Sequence, residues 1–167
     1  PRHSWNLTCN FLQKPSMPFT QNVYHIIWAT KHRRPVLQDG QRVRLYKYIS
    51  AVVIKKGCYV YAVNGVTVHI HLAISLRPAV ALSKLIQSIK VSSSLFIKEK
   101  NLFPGFTGWQ KGYGAFTHSY AGLGRLKNYI EQQEEHHSKE SFEDEFIALL
   151  DEHHIIEWEA RYLFNDD

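Results

Sequence analysis

Two histidines, His69 and His71, lie one residue apart in VTVHIHLAIS, a stretch whose other residues are typical of a buried β-strand. Because side chains alternate between the faces of a strand, both imidazoles should project from one face, about 6.5–7 Å apart along the backbone. That separation lets two imidazoles bind one metal ion, although two histidines on a water-facing sheet would show the same pattern. The neighbouring apolar residues should pack on the opposite face: Val68, Ile70 and Leu72.

Tyr129 and Gln133 in YIEQQ form a second candidate pair, because residues four apart share one face of a helix. Taken alone, this pair is equally typical of a tyrosine at the edge of the core. Histidines also occur in two adjacent pairs, His136–His137 and His153–His154. Adjacent residues on a helix diverge by about 100°, so these pairs are poor chelates and do not predict a second metal site.

The charge of the chain is unevenly distributed, although its formal net charge is only +5. Residues 1–130 contain 18 lysines and arginines but only two carboxylates, Asp39 and Glu99, which gives a net charge of +16. Residues 131–167 contain two basic and 13 acidic residues, a net charge of −11. The basic region suits a polyanionic partner, because phosphate contacts supply most nonspecific affinity for nucleic acids. The acidic segment should pack on the fold or on a second subunit rather than on DNA.

The elements that must position these residues belong to a single folded domain. A length of 167 residues with 44% hydrophobic content is enough for one core. We assign residues 17–167 to this domain and interpret residues 1–16, which lack a clear period, as an N-terminal extension or cloning remnant. No apolar run approaches the ~20 residues that span a bilayer. Cys9 and Cys58 have neither metal-type nor disulfide-type spacing, which favours a reducing cytoplasm.

Hydrophobic periodicity and turn residues predict the order of helices and strands. Gly57 is expected to end the first helix, Ser141 to cap the last one, and the Asn64-Gly65 pair to form a hairpin turn. The predicted elements are strands at 20–30, 58–65, 67–76 and 115–120, and helices at 39–56, 81–100, 123–137 and 141–154. This order predicts an α+β fold of the ferredoxin-like (split βαβ) type. Its antiparallel sheet would carry helices on one face and leave the other available, with additional C-terminal helices.

Five stretches in a fixed order carry a resemblance to a known family: YHIIWATKHRRPVL, VHIHLAISL, LIQSIKVSSSLFIKE, GWQKGYGAF and YIEQQEEHHSKESFEDEF. From about Met17 to its end, the chain resembles the single-tyrosine HUH (His-hydrophobic-His) transposases of the smallest bacterial insertion sequences. This group includes the tyrosine transposases associated with repetitive extragenic palindromes (REP). One departure is Val68, because members of the family often carry an acidic residue just before the first histidine.

The resemblance implies a role for each candidate residue. His69 and His71 would match the two metal-binding histidines and Tyr129 the nucleophile. Gln133 would match the third metal ligand, with Gln132 as the adjacent competitor. The resemblance also implies a bacterial or archaeal cytoplasmic protein that forms a homodimer, in which the tyrosine helix can serve the histidines of the partner.

These groups suit the cleavage of a DNA phosphodiester. Two imidazoles and an amide oxygen would leave a divalent ion its full charge, and a mixed nitrogen and oxygen set suits Mg²⁺ or Mn²⁺. A phenol, with a pKa of about 10, is a better leaving group than an alkyl alcohol, so a phosphotyrosine bond conserves the energy needed for rejoining. We therefore expect a DNA transposase that cuts and rejoins single-stranded DNA, often at hairpins, through a 5′-phosphotyrosine.

Two alternatives remain open from the sequence. One is a non-catalytic module that binds single-stranded or structured nucleic acid, and the other is a metal-dependent nuclease that uses water. For the expected transposase, the candidate contacts to the DNA backbone are four basic residues: Arg33, Arg34, Lys90 and Lys111. Trp109 and Tyr113 could stack on bases, although core packing is the commoner role of such residues.

Overall fold

The computed structural model describes residues 20–136 and 141–155, with only the backbone described at His136. The predicted extension at 1–16 and residue His137 lie outside these residues. The elements are β1 (Val23–Ala29), α1 (Asp39–Lys55), β2 (Tyr59–Gly65), β3 (His69–Ser75), α2 (Leu82–Glu99), β4 (Gly114–His118), α3 (Leu123–Glu131), α4 (Gln133–His136) and α5 (Phe142–Glu152). Short 3-10 turns occur at Lys31–Arg33 and Tyr120–Gly122. No helix in the described ranges is both long and apolar enough to cross a membrane.

The four strands form one antiparallel sheet in the order β2-β3-β1-β4. The two central strands are β1 (VYHIIWA) and β3 (HIHLAIS). Both are buried on their two faces. With α1 after β1 and α2 after β3, this order confirms the predicted α+β, ferredoxin-like arrangement.

One face of the sheet packs against α1 and α2. Ile26 and Trp28 of β1 and Ile70 and Leu72 of β3 lie on this face, and each is at most 1% exposed. The two helices cover them with apolar residues at helical spacing: Leu45, Ile49, Val53, Leu85, Ile86, Ile89 and Ile97. This is the main core, and its burial of apolar area is the principal stabilising contribution to the fold.

The opposite face was expected to be available, but α3 and α5 cover it. Leu126 and Ile130 of α3 pack on Val23 and Ala73. Four apolar residues of α5 pack on Ile27, Ala29 and Phe116: Phe142, Phe146, Leu149 and Leu150. The expectation of a free face was wrong, because the acidic composition of the C-terminal segment hides an apolar stripe on α5 that needs a surface to bury it. The expected packing of this segment on the fold is confirmed for α5.

The β2–β3 hairpin forms as predicted, but its turn is not at Asn64-Gly65. Both residues belong to β2, where Asn64 pairs with His71 and Gly65 with Ile70, and the chain turns at residues 66–68. A Cβ at Gly65 would lie 2.2 Å from the backbone oxygen of His69. Glycine is therefore required here for close approach of two strands and not for a turn conformation. Val68 lies in this loop rather than on β3.

The helix predicted over 123–137 is interrupted at Gln132, whose ψ of 15° separates α3 from α4. The predicted end of the first helix and the predicted cap of the last helix are both confirmed. Gly57 follows the end of α1 with a φ of +76°, and the Ser141 hydroxyl accepts a hydrogen bond from the backbone N–H of Asp144 at 3.2 Å.

Candidate functional site

His69 and His71 project from the sheet face that α3 and α5 cover, and neither side chain is exposed to solvent. Their register places His71 opposite Ile27 and His69 opposite Ala29 on β1. The two imidazole centroids are 4.8 Å apart. The predicted shared orientation is correct. Of the apolar neighbours, Ile70 and Leu72 pack on the opposite face as expected. Val68 does not, because it is half-buried in the loop before β3 and packs against the α5 cluster.

Glu145 of α5 faces both histidines and was not among the residues predicted from the sequence. Its Oε2 lies 3.4 Å from Nε2 of His69 and 3.4 Å from Nε2 of His71, and the residue is 4% exposed. One ligand atom from each of the three residues lies within 4.8 Å of the others. The apolar spacing of α5 could have revealed it, because Glu145 stands between Phe142 and Phe146 on the buried face of the helix.

Tyr129 and Gln133 meet the same carboxylate from the other covering helices. The Tyr129 hydroxyl donates a hydrogen bond to Oε1 of Glu145. Nε2 of Gln133 donates to the same Oε1 at 3.1 Å, while Oε1 of Gln133 is buried and has no hydrogen-bond partner among residues 20–136 and 141–155. The ring of Tyr129 lies edge-on to that of His71, with centroids 5.8 Å apart. The structure therefore brings together the four residues predicted for the metal site and the nucleophile: His69, His71, Tyr129 and Gln133. Gln132 is exposed.

His25 of β1 contacts His71 from the side opposite Glu145. Nε2 of His25 and Nδ1 of His71 are hydrogen-bonded at 2.8 Å, and the rings stack at 5.1 Å. Burial and the neighbouring His71 lower the pKa of His25 well below its ordinary value. His25 is therefore neutral at pH 7, and the contact fixes the plane of the His71 ring.

The tyrosine helix is anchored where α3 gives way to α4. Nδ2 of Asn64 donates hydrogen bonds to the backbone oxygens of Ile130, at 2.9 Å, and of Glu131, at 3.1 Å. Arg42 of α1 is 5% exposed, donates to the oxygen of Gly65 at 2.9 Å and forms an ion pair with Glu134. These contacts bind α1, β2 and α4 together, and they fix the position of the segment that carries Gln133.

Two of the four basic residues predicted to contact DNA, Arg33 and Lys90, make the following intramolecular contacts. Nε of Arg33 pairs with Glu143 at 2.6 Å. Nζ of Lys90 donates to the backbone oxygens of Gln110, Lys111 and Gly112 at 3.0, 3.2 and 2.6 Å. Lys90 thus holds a loop in place.

Lys90 and Lys111 both line a groove of about 520 Å³ between α2 and the loop at 108–113, whereas Arg34 is exposed on the loop after β1. This groove lies on the sheet face opposite the histidines. Trp109 also lines the groove. Its ring packs against Trp28 and its indole N–H donates a hydrogen bond to the hydroxyl of Ser93, so Trp109 is part of the core packing. Tyr113 is 38% exposed.

The side chains of His136 and His137 lie outside the described residues, and the rings of His153 and His154 have different environments. His153 turns inward and stacks on Phe116 at 4.7 Å, close to His118 at 5.2 Å, whereas His154 is exposed. Burial lowers the pKa of His118, and the proximity of His153 lowers it further. A cavity of about 230 Å³ opens beside Tyr129, with His25 and His118 in its lining.

Residues 19–133 match the family described as Transposase IS200 like. The ISDra2 transposase TnpA of Deinococcus radiodurans is 27% identical over 122 residues, which cover 70% of this chain and 85% of that protein. A solved structure from Deinococcus radiodurans R1, described as a transposase, has a TM-score of 0.54 at 23% identity and covers 73% of this chain and 98% of that one. A REP-associated tyrosine transposase bound to a REP hairpin has a TM-score of 0.55 at 17% identity, with coverages of 70% and 68%.

At these identities, the two solved structures support the fold. The family match supports membership of the family as well as the fold, because it extends from before β1 to Gln133 and includes both histidines of β3 and the tyrosine of α3. Glu145 lies beyond its last residue. The chain belongs to the IS200-like transposases.

Proposed function

We propose that this transposase cuts and rejoins single-stranded DNA through a covalent 5′-phosphotyrosine at Tyr129, with the help of a divalent metal ion. One observation carries the proposal. The hydroxyl of Tyr129 is hydrogen-bonded to the carboxylate that faces His69 and His71. A nucleophile, a proton acceptor and a group of metal-type donors therefore meet within one chain.

The residues present fit a divalent ion. Nitrogen from His69 and His71 and oxygen from Glu145 form a donor set that Mg²⁺ or Mn²⁺ accepts, and the two imidazoles favour Mn²⁺. Oε1 of Gln133, the ligand named by the family resemblance, is a further oxygen donor buried beside them. When bound, the ion supplies Lewis-acid stabilisation of the charge on the scissile phosphate.

The chain's own residues account for the transfer of the proton and the phosphoryl group. Oε1 of Glu145 accepts the phenolic proton as the oxygen of Tyr129 attacks phosphorus. The tyrosine O–P bond forms, the P–O3′ bond breaks, and the proton that Glu145 accepted passes through solvent to the leaving oxygen, which becomes a 3′-hydroxyl. Rejoining is the reverse reaction, in which a 3′-hydroxyl attacks the phosphotyrosine and the phenol leaves with its proton restored.

Other observations support the proposed substrate, which is hairpin-forming single-stranded DNA. Binding of hairpin-forming DNA is supported by the REP hairpin bound to the REP-associated relative, and by the +16 net charge of residues 1–130. Arg34 and Lys111 are the exposed candidates for backbone contacts. The homodimer implied by the family remains a prediction. Tyr129 and the histidine pair meet within one chain, so this arrangement does not depend on a partner's tyrosine.

The test is a denaturing gel of the protein after incubation with Mn²⁺ and a pool of hairpin-bearing strands with randomised flanks. We expect a 3′-end-labelled strand to migrate with the protein, and the released 5′ fragment to carry a 3′-hydroxyl that a polymerase can extend. Tyr129→Phe should abolish the adduct, whereas Tyr120→Phe, at a 57% exposed tyrosine three residues before Leu123, should retain it.

The alternatives give different results on the same gel. A binding module would retard the strands on a native gel without an adduct, and a nuclease would release fragments with Tyr129→Phe. Either result would contradict the proposed reaction. Chelation of the metal by EDTA should abolish the adduct, and Mn²⁺ added back should restore it.

A further inference from the structure

A cavity of about 230 Å³ lies beside Tyr129, between α3 and α5, and its lining does not include Glu145, His69 or His71. Its apolar walls are Leu126 and Leu149, which are 5% and 7% exposed, together with the ring of Tyr129. Arg125 and Glu152 are exposed and stand at its mouth. This volume is below the range of about 300–1,000 Å³ that is typical of pockets for drug-sized ligands, so the cavity suits one small, flat group.

Two buried ring nitrogens belong to histidines that line this cavity. Nε2 of His25 is bonded to His71, so its Nδ1 is directed to the other side of the ring; this atom is buried and has no hydrogen-bond partner within the described ranges. Nε2 of His118 is also buried and is likewise unpartnered within those ranges. Buried polar atoms are normally hydrogen-bonded, so these two atoms leave hydrogen-bonding capacity beside the cavity for a polar group that enters it.

The chemistry of the lining selects a neutral aromatic ligand. Each of the two buried ring nitrogens can donate or accept a hydrogen bond, according to the tautomer of its imidazole. A phosphate would find no cation among the buried lining residues and would meet the carboxylate of Glu152 at the mouth. A nucleobase has a flat face for Tyr129 and the leucines and polar edges for the imidazoles.

We infer that this cavity receives one unstacked nucleobase, from a nucleotide next to the phosphate that Tyr129 attacks. The inference rests on the proposed function, because it takes Tyr129 to be the nucleophile and single-stranded DNA to be the substrate. Insertion of the base would hold the strand in register with the phenol, and Arg125 at the mouth would contact the phosphate of the same nucleotide.

Two glycines at the N-terminal end of α3, Gly122 just before it and Gly124 within it, provide a matched pair of variants. Gly122 lines the cavity, has a φ of −82°, and a Cβ placed on it would meet only the hydroxyl of Ser119, at 3.5 Å. Gly124 is exposed, does not line the cavity, and a Cβ there would meet nothing within 4 Å. Gly122→Leu should therefore fill the cavity, whereas Gly124→Leu adds the same side chain to open surface.

The experiment compares two single strands of equal charge, a thymidine dodecamer and a dodecamer of abasic residues, by fluorescence anisotropy in EDTA. Stacking of one base corresponds to about a fivefold to 150-fold preference for the thymidine strand. We expect this preference in the wild type and in Gly124→Leu, and a reduction of at least about fivefold in Gly122→Leu. Equal preference in all three proteins would overturn the inference.

A second measurement does not depend on a variant. A dodecamer that carries 4-thiothymidine is irradiated with the wild-type protein, and the cross-linked peptides are identified by mass spectrometry. Cross-links to residues 122–129 or 149–152 support the cavity, and cross-links confined to other peptides overturn it. Neither measurement requires cleavage, so an adduct without base preference would refute this inference alone, whereas base preference without an adduct would refute the proposed reaction alone.

Discussion

Replacing Glu145 by glutamine should abolish most of the stabilisation that Mn²⁺ gives to the folded protein. The substitution keeps the size of the side chain but removes the negative charge that faces the two histidines at 3.4 Å. Loss of a group that only supports a metal ligand typically weakens binding by about 10–100-fold, so loss of a ligand should cost at least about 100-fold. The charge of Glu143, two residues away, is paired with Arg33 near the surface instead.

The expected thermal shift follows from the linkage of binding to folding. At a free Mn²⁺ concentration of 100 times the wild-type Kd, the ion stabilises the folded state by about 2.7 kcal/mol. A variant that binds about 100-fold more weakly gains only about 0.4 kcal/mol at the same concentration. With about 2–4 °C of Tm per kcal/mol for a chain of this size, Mn²⁺ should raise the Tm by about 5–11 °C in the wild type and by less than about 2 °C in Glu145→Gln.

The assay is differential scanning calorimetry in EDTA and in Mn²⁺, with Glu143→Gln as the control. The control should show the wild-type shift, because an ion pair near the surface contributes only about 0–1 kcal/mol and does not face the histidines. If Glu145→Gln keeps the full Mn²⁺ shift, Glu145 is not a ligand. If the shift is instead lost in Gln133→Ala, the amide holds the ion and the carboxylate serves only Tyr129.

Three further substitutions test other parts of the structure. Gly65→Ala should lower the free energy of unfolding by about 3 kcal/mol in urea titrations, because its Cβ would meet the His69 backbone at 2.2 Å; a change below about 1 kcal/mol would contradict this packing. Arg42→Met should cost about 1–3 kcal/mol in the same titration, since the oxygen of Gly65 loses its charged donor and keeps the hydroxyl of Tyr46, at 3.1 Å, whereas Arg42→Lys should recover part of it. Because the folded pKa of His118 is below its ordinary 6.5, its contribution to stability should be complete above pH 6.5 and fall as the pH drops below that value. His118→Gln should flatten this fall in melting curves, and an unchanged slope would show that another group titrates.

The histidine pair could be predicted because the signal is local. A strand has a period of two, so VHIHL alone determines that His69 and His71 share a face. The choice of face, and the burial of that face, depend on α3 and α5, which lie more than 40 residues further along the chain. Local patterning identifies an element, but only tertiary packing determines what covers it.

Asn64 and Gly65 show how a strong local signal can have a different physical cause. The Asn-Gly pair is a common hairpin turn, yet here the asparagine caps the C-terminal end of α3 and the glycine admits the backbone of His69. Both uses need the residue types that a turn would need. The turn was predicted from these types alone, and the long-range partners that select between the two explanations do not appear in the local sequence.

Glu145 could not be assigned a role from its own neighbourhood for a similar reason. It belongs to a run of three carboxylates, Glu143 to Glu145, in a segment with a net charge of −11, and such a run is usually a solvated face. Within α5, however, only Glu145 of the three is buried, because it shares a face with Phe142 and Phe146. The helix period therefore separates this carboxylate from its neighbours, and its partners across the sheet account for the burial.

The burial of Glu145 links the closure of the sheet to the chemistry proposed for it. An ionised carboxylate is costly to bury without compensating partners, and here the partners are the Tyr129 hydroxyl, the Gln133 amide and two imidazoles. A divalent ion at the same place would compensate the charge more fully, so folding of α5 onto the sheet and metal binding should reinforce each other. The carboxylate would also lower the net charge of the ion by one unit relative to an all-neutral ligand set. The site would thereby gain affinity for the ion at some cost in Lewis acidity, and the proton acceptor for Tyr129 would lie beside it.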